Sequence, residues 1–331
     1  MAGGDHPDDH AGVTGMDPVA GVDLGGTKIQ TVVLRSGEIV GEARAPTPQT
    51  GAADVVDAIS ALVRQALHDA GAHKHLAALG IGSPGEIDAE QGVVAHSPNV
   101  PGFDAPVKLG PLVSGALGGV PVRLDNDVRV AIRGEHERGT GRPFDDLLGV
   151  FVGTGVGGGF VLGGEIYDGG GAGGEIGHTT VKDGGRMCSD GRRGHLEAYA
   201  GRGRIEAEAR RRVDEGAETI LFTLMERKGR TRLTSSVIAR ALERDDALAT
   251  ELIDDAVWAL GIAASNAQNL LDLQAIIIGG GLGDRLGPSF VDRIAEAMRP
   301  RLFVPERAPR MLNTELGDLA GAVGAAVLAG S

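Results

Sequence analysis

Two glycine-rich turns of similar build constrain the folds open to this chain more than any other feature. The first, Asp23-Leu24-Gly25-Gly26-Thr27-Lys28, lies between β-branched-rich runs at 19–23 and 29–34, the pattern of a β-hairpin. The second, Gly153-Thr154-Gly155-Val156-Gly157-Gly158-Gly159, follows an apolar run at 147–152 and leads into another at 159–162. A strand, a glycine turn and a strand in each half is what a duplicated pair of domains produces, although sequence identity between the halves is faint. Val55, Val56, Ile59, Leu62, Val63, Ala66 and Leu67 recur at helical spacing, with Asp54 as N-cap and Gly71 as stop. Buried strands are expected at 76–81, 120–124 and 275–278, and helices at 128–138, 247–271 and 319–328. Strands alternating with helices make α/β layers.

The 331 residues suffice for two medium domains sharing a cleft. A formal charge of −13 argues against a nucleic-acid partner, whose recognition needs a basic footprint. No run approaches the ~18 consecutive apolar residues of a membrane span. Cys188 is the single cysteine, which excludes a disulfide framework and suits a reducing cytoplasm. Residues 1–16 are polar with no apolar core, and read as a disordered leader rather than a signal peptide. The 55 glycines cluster beside strands instead of following a repeat, which indicates tight turns or close backbone approach to a ligand.

The first glycine turn is not a Walker loop, which needs a strand-to-helix setting and GK[ST]. Its backbone N–H groups can still face a phosphate, and Asp23 can hold a water of a Mg²⁺ shell; an ordinary hairpin turn is the alternative. Thr154 adds a hydroxyl to the second loop. One such loop per half points to a nucleotide clamped between domains. Gly279-Gly280-Gly281-Leu282-Gly283, after a buried strand, suits the adenosine side or is simply a flexible turn. Asn126-Asp127 closes a strand and opens a helix, where a carboxylate can accept a hydroxyl proton during phosphoryl transfer. Equally, Asp125 or Asp127 can cap that helix, and the dipeptide alone leaves both roles open. Asn99, in the turn-rich segment 97–103, has the donors and acceptors to hold a sugar hydroxyl. Glu175 with His178, and His195 with Glu197, are pairs that orient hydroxyls, the alternative for either Glu being a solvated charge. Together these features suggest a phosphoryl-transfer enzyme acting on a small polyol.

The ordered set DLGGTK, GSPG, SPNVPGF, ND, GTGVGGG, GEIGH, GHLEAYA and GGG resembles the ROK family of sugar kinases and regulators, from about residue 19 to 329. The resemblance is greatest to the family's bacterial glucokinases. It implies an α/β fold of the two-domain, actin-like (ribonuclease H-like) ATPase type with an interdomain cleft. Residues 17–123 plus 318–331 would form the small domain, and 124–317 the large one with the sugar site. It further implies ATP and Mg²⁺ as cofactors, a hexose 6-hydroxyl as acceptor, glucose before other sugars, and a homodimer or homotetramer. Carried over by position, Asp127 is the base, while Asn99, Asn126, Glu175, His178 and Glu197 bind the remaining hydroxyls. Gly25, Gly26, Thr27, Gly153 and Thr154 hold phosphates, with Asp23, Lys28, Gly155, Gly280 and Gly281 completing the cofactor set.

The chain departs from that pattern in two places. The family's zinc site uses one His and three Cys, whereas here two cysteine positions are Asp190 and His195. His178, Cys188, Asp190 and His195 remain possible Zn²⁺ ligands, harder and weaker than a thiolate set; metal loss is the alternative. The second departure is Arg129, expected on the solvent face of its helix. Rival readings are a kinase for fructose, mannose or N-acetylmannosamine, a polyphosphate donor, and a sugar-sensing regulator. Polyphosphate predicts a basic groove beside the phosphate loops. A regulator predicts a helix-turn-helix domain ahead of the first glycine turn, where only a short polar segment stands.

Overall fold

A computed structural model describes residues 17–72, 75–97 and 99–331; the expected leader at 1–16 lies outside them. Two compact units emerge. One comprises the described residues up to Asp127 together with Ala325–Ser331, the other Val128–Gly324.

In the first unit, β1 (Val19–Leu24) and β2 (Lys28–Arg35) form the expected antiparallel hairpin, and β3 (Glu38–Pro46) adds to β2 with an irregularity between Val33 and Leu34. Helix α1 (Ala52–Asp69) lays Val55, Ile59, Val63 and Ala66 on the core. Gly41 of β3 lies so close to the Ala66 carbonyl that a β-carbon there has no room. The helix starts a turn earlier than Asp54 suggested. Gly51, at φ 133°, is its N-cap, and Asp54 sits in the first turn accepting a hydrogen bond from the Thr50 hydroxyl, where a carboxylate complements the helix dipole. Gly71, at φ +63°, follows the helix end as expected. Next come β4 (Ala78–Ser83), the small pair β5 (Glu86–Asp88) and β6 (Val93–His96), α2 (Leu109–Ala116) and β7 (Val122–Asn126). The sheet order is β3-β2-β1-β4-β7, with β1, β4 and β7 mutually parallel.

Helix α3 (Asp127–Arg138) carries the chain into the second unit. There β8 (Leu147–Val152), β9 (Val156–Leu162) and β10 (Glu165–Tyr167) form an antiparallel meander. A helical block follows: α4 (Glu197–Ala200), α5 (Arg202–Asp214), α6 (Leu221–Arg227), α7 (Ser235–Leu242) and α8 (Ala247–Leu271). The last elements are β11 (Ala275–Gly279), α9 (Gly280–Leu286), α10 (Pro288–Met298), β12 (Arg310–Asn313) and α11 (Ala320–Gly330). The order β10-β9-β8-β11-β12, with β11 parallel to both β8 and β12, reproduces the layout of the first sheet. Helix α8 matches its expected limits; Asp246 caps it by accepting from the Ala249 N–H at 2.7 Å, and Asp272 ends it in the left-handed region.

Several boundaries differ from expectation. The strands expected at 76–81 and 120–124 run 78–83 and 122–126, because ladder pairing continues through polar residues after the apolar run stops. Asp125 and Asn126 therefore belong to β7, and Asp127 is the first residue of α3. Gly157, Gly158 and Gly159 belong to β9 and not to the phosphate turn. β-Carbons there would meet Val128, Ile176 and Ile132 at 2.5, 2.5 and 2.6 Å, so these glycines serve packing. Gly280–Gly283, expected as a turn, opens α9. Among the described residues no helix is long and apolar enough to cross a membrane.

Candidate active site

The first unit gathers its polar residues at the carboxyl ends of parallel strands. Asp23 of β1 is paired with Gly82 of β4, and Gly82 and Ser83 with Asp125 and Asn126 of β7. Open α/β sheets bind ligands at this end. Asn126 N–H donates to the Asp125 carboxylate at 2.7 Å, and Asp127 follows in the first turn of α3, where the helix dipole favours a negative charge.

The β1–β2 turn is braced from the end of β3. Gly25 O accepts from the Thr47 hydroxyl at 2.6 Å, Thr27 O from the Thr47 N–H at 3.0 Å, and Gly26 O from the Gln49 amide at 3.4 Å. The acceptor side of the turn thus faces residues 47–49. Gly26 lies against the Asn99 carbonyl so closely that only glycine fits. Asn99 itself is exposed, on a loop anchored by buried Val100 and Phe103. The DLGGTK turn and the Asn99 loop, distant in sequence, are therefore neighbours.

In the second unit, Gly153 N–H donates to Gly155 O at 2.9 Å and closes the turn around Thr154. Glu197, the first residue of α4, is buried behind it. Its Oε2 accepts from Val156 N–H at 3.0 Å, and its Oε1 accepts from the Ser189 hydroxyl and from the Cys188 thiol at 3.7 Å. A β-carbon on Gly155 would collide with that carboxylate. Glu175 is exposed and precedes the short 3₁₀ turn 176–178. Gly280, at φ +79°, packs on the backbone of Val152, and Gly281 faces Ser235 and Arg202.

His178, Cys188, Asp190 and His195 converge: each offers a ligand atom, and these atoms lie within 4.8 Å of one another. A tight turn builds the cluster, with Cys188 N–H donating to Arg192 O at 2.8 Å and Gly191 at φ +83°. Asp190 Oδ2 lies 3.3 Å from His178 Nδ1 and 3.2 Å from His195 Nδ1. Neither buried ring nitrogen has a hydrogen bond of good geometry, the condition a bound cation relieves. Two imidazoles, a thiol and a carboxylate are a donor set that zinc accepts. Arg192 N–H holds the Asp190 carboxyl below its usual range, whereas burial pushes the Cys188 thiol up. Metal binding would have to displace that thiol proton.

Arg129 does not face solvent: it is buried, and its guanidinium donates to Gly171 O at 2.9 Å. Thr47, Gln49, Arg202 and Ser235 adjoin these glycine segments, yet no motif marks them in the sequence. Thr47, Gln49 and Arg202 reach their turns across wide sequence gaps, Arg202 bonding Thr154 from 48 positions away, and Ser235 accepts from Arg202.

The ROK family model matches residues 19–331. The chain belongs to the ROK family. A glucokinase from Halalkalibacterium halodurans is 35% identical over 92% of this chain and 92% of its own length. The crystal structure of a ROK family glucokinase from Streptomyces griseus in complex with glucose and AMPPNP is 32% identical, with TM-score 0.79 over 94% of this chain and 99% of that one. A ROK hexokinase structure from Thermus thermophilus is 31% identical, with TM-score 0.77 over 94% and 97%. The two like-ordered sheets are thus the two domains of the actin-like fold this family shares.

Proposed function

We propose that glucose is the preferred acceptor of this ATP-dependent hexose kinase, and that its product is glucose 6-phosphate. The observation that carries this reading is the position of Asp127, at the carboxyl end of β7 and the start of α3, in a chain similar to a glucokinase crystallised with glucose and AMPPNP. Asp127 takes the proton of the 6-hydroxyl as that oxygen attacks the γ-phosphorus in line. Asn99, Asn126, Glu175, His178 and Glu197 hold the other hydroxyls and orient the ring, and positioning supplies much of the rate. Gly25, Gly26, Thr27 and Lys28 hold donor phosphates, as do Gly153, Thr154 and Gly155, while Gly280 and Gly281 line the adenosine side. Asp23 would hold a water of the Mg²⁺ shell; the ion, when bound, would neutralise phosphate charge.

Zinc at His178, Cys188, Asp190 and His195 has a structural role in this reading. Bound there, it would hold the 188–195 turn and with it Ser189, whose hydroxyl donates to the Glu197 carboxylate. The protein works in the cytoplasm, as a homodimer or homotetramer that sedimentation velocity will distinguish.

Asp127→Asn and Asp127→Ala should lower kcat at least ~100-fold while glucose binding stays measurable by calorimetry. Unchanged turnover in either variant removes Asp127 from the mechanism. A coupled assay of ADP release over glucose, fructose, mannose and N-acetylmannosamine tests the acceptor. A higher kcat/KM for another sugar replaces glucose and leaves the kinase in place.

A further inference from the structure

Arg202 stands first in α5 with its backbone stapled to the second glycine turn: its N–H donates to Gly153 O at 3.1 Å, and the next N–H, of Gly203, to Thr154 O at 3.0 Å. From this fixed root the guanidinium reaches two hydroxyls. One terminal nitrogen donates to Thr154 Oγ at 2.9 Å, the other to Ser235 Oγ at 3.3 Å. A β-carbon on Gly281 would lie 3.9 Å from the second nitrogen. The arginine thus lies between the turn assigned to phosphates and the glycines assigned to adenosine.

Its charge is uncompensated at close range. Among the described residues Arg202 makes no ion pair, and Glu206 attracts it only through space. The Glu206 carboxylate is already engaged by Arg210 at 2.7 Å and by Leu233 N–H at 2.8 Å. Burial pushes the Arg202 guanidinium below its usual range, a sign of a cation drawn partly out of water without a counter-charge, which is costly. A guanidinium has five N–H donors, and the two hydroxyls leave most of them for another acceptor. Neutral hydroxyls hold the fork in place without neutralising it.

The neighbourhood has the same sign. Ser235 opens α7, whose Ser236, Ala239 and Arg240 line a cavity of about 720 Å³ together with Lys228, Glu243 and Arg285. Glu243 is paired with Arg240 at 2.7 Å, so Lys228 and Arg285 leave this space positive in a chain whose formal charge is −13. Arg285 lies on α9, the helix that carries Gly281, so the cavity and the Arg202 fork border the same two helices.

We propose that Arg202 is a donor-binding residue whose guanidinium takes the β- and γ-phosphate oxygens of the nucleotide. This rests on the reading of Gly153–Gly155 as the phosphate turn. A planar fork matches phosphate in a way that an ammonium does not.

Calorimetry of AMP, ADP and AMPPNP with Mg²⁺ on the full chain tests it. Arg202→Gln should weaken ADP and AMPPNP at least about tenfold and leave AMP and glucose affinities within about twofold. Arg202→Lys should fall between the wild type and Arg202→Gln for ADP. An equal loss for all three nucleotides reduces Arg202 to a strut between α7 and the turn and overturns the proposal, as does unchanged ADP affinity. Wild-type protein that binds none of the nucleotides overturns the kinase reading itself, a result seen before any variant is made.

Discussion

At Gly155 one added methyl group would occupy the space of the Glu197 carboxylate, which accepts from Val156 N–H at 3.0 Å. Gly155→Ala should therefore displace Glu197, lowering kcat/KM for glucose at least about tenfold and stability by ~1–3 kcal/mol, the usual range for overpacking. Gly163 provides the comparison. It has φ +61° with nothing within 4 Å of a β-carbon, so Gly163→Ala should cost only backbone strain of ~1–2 kcal/mol and leave steady-state kinetics unchanged. Equal kinetic losses in both variants would show that Glu197 is not the cause. At this scale contiguous motifs drew attention to Gly26, which lies against the Asn99 carbonyl, and to Asp127 and Glu197 as candidates. Thr47, Arg202 and Ser235 were illegible, because a single polar residue gains its role only when folding brings a distant turn beside it. Arg129 was misread for the same reason: its acceptor, Gly171 O, lies 42 positions away.

Among elements, α5 carries a network of ion pairs beside its apolar contacts. Glu208 accepts from Arg211 at 2.8 Å and Arg212 at 3.0 Å, with Arg186 at 3.5 Å. Arg212 and Arg186 reach on to Glu251 and Asp255 of α8, and Arg186 also lies over the Tyr199 ring at 5.0 Å. These arginines hold the Glu208 carboxyl down at about 2. Because its folded value is depressed, its contribution to stability is present above the unfolded value near 4.5, and is lost as pH falls through the folded one. Melting temperatures taken from pH 5 to pH 2.5 should thus fall more steeply for the wild type than for Glu208→Gln. Parallel curves would show that the network adds nothing. Helix α8 was legible because its apolar period persists through 25 residues. Helix α5 was not, since its acidic and basic residues leave only Ile205 and Ala209 buried. Helix α9 was misread as a turn because Gly280, Gly281 and Gly283 are weak helix formers; packing on β8 and α7 overrides that propensity.

For the whole molecule, two sheets of one strand order were foreshadowed by the paired glycine turns, while β3, β10 and β12 were missed because edge strands carry mixed polar sequence. Close helix crossings depend on glycine as well. A β-carbon on Gly324 of α11 has no room against the Val130 carbonyl of α3, so Gly324→Ala should lower the melting temperature by several degrees without altering KM for either substrate. Metal removal acts on a different property. Chelation followed by dialysis should lower the melting temperature of zinc-loaded protein and raise KM for glucose, with zinc restoring both; a chelated protein indistinguishable from the untreated one would leave the 188–195 turn without a metal. The cluster also has a practical consequence. Cys188 is the only thiol in 331 residues and one of the four converging side chains that could hold a metal. One equivalent of a chromogenic thiol reagent therefore titrates a single site per chain. The thiol that becomes reactive only after a chelator is added would give the fraction of a preparation that carries metal, with no label introduced and no other cysteine to correct for.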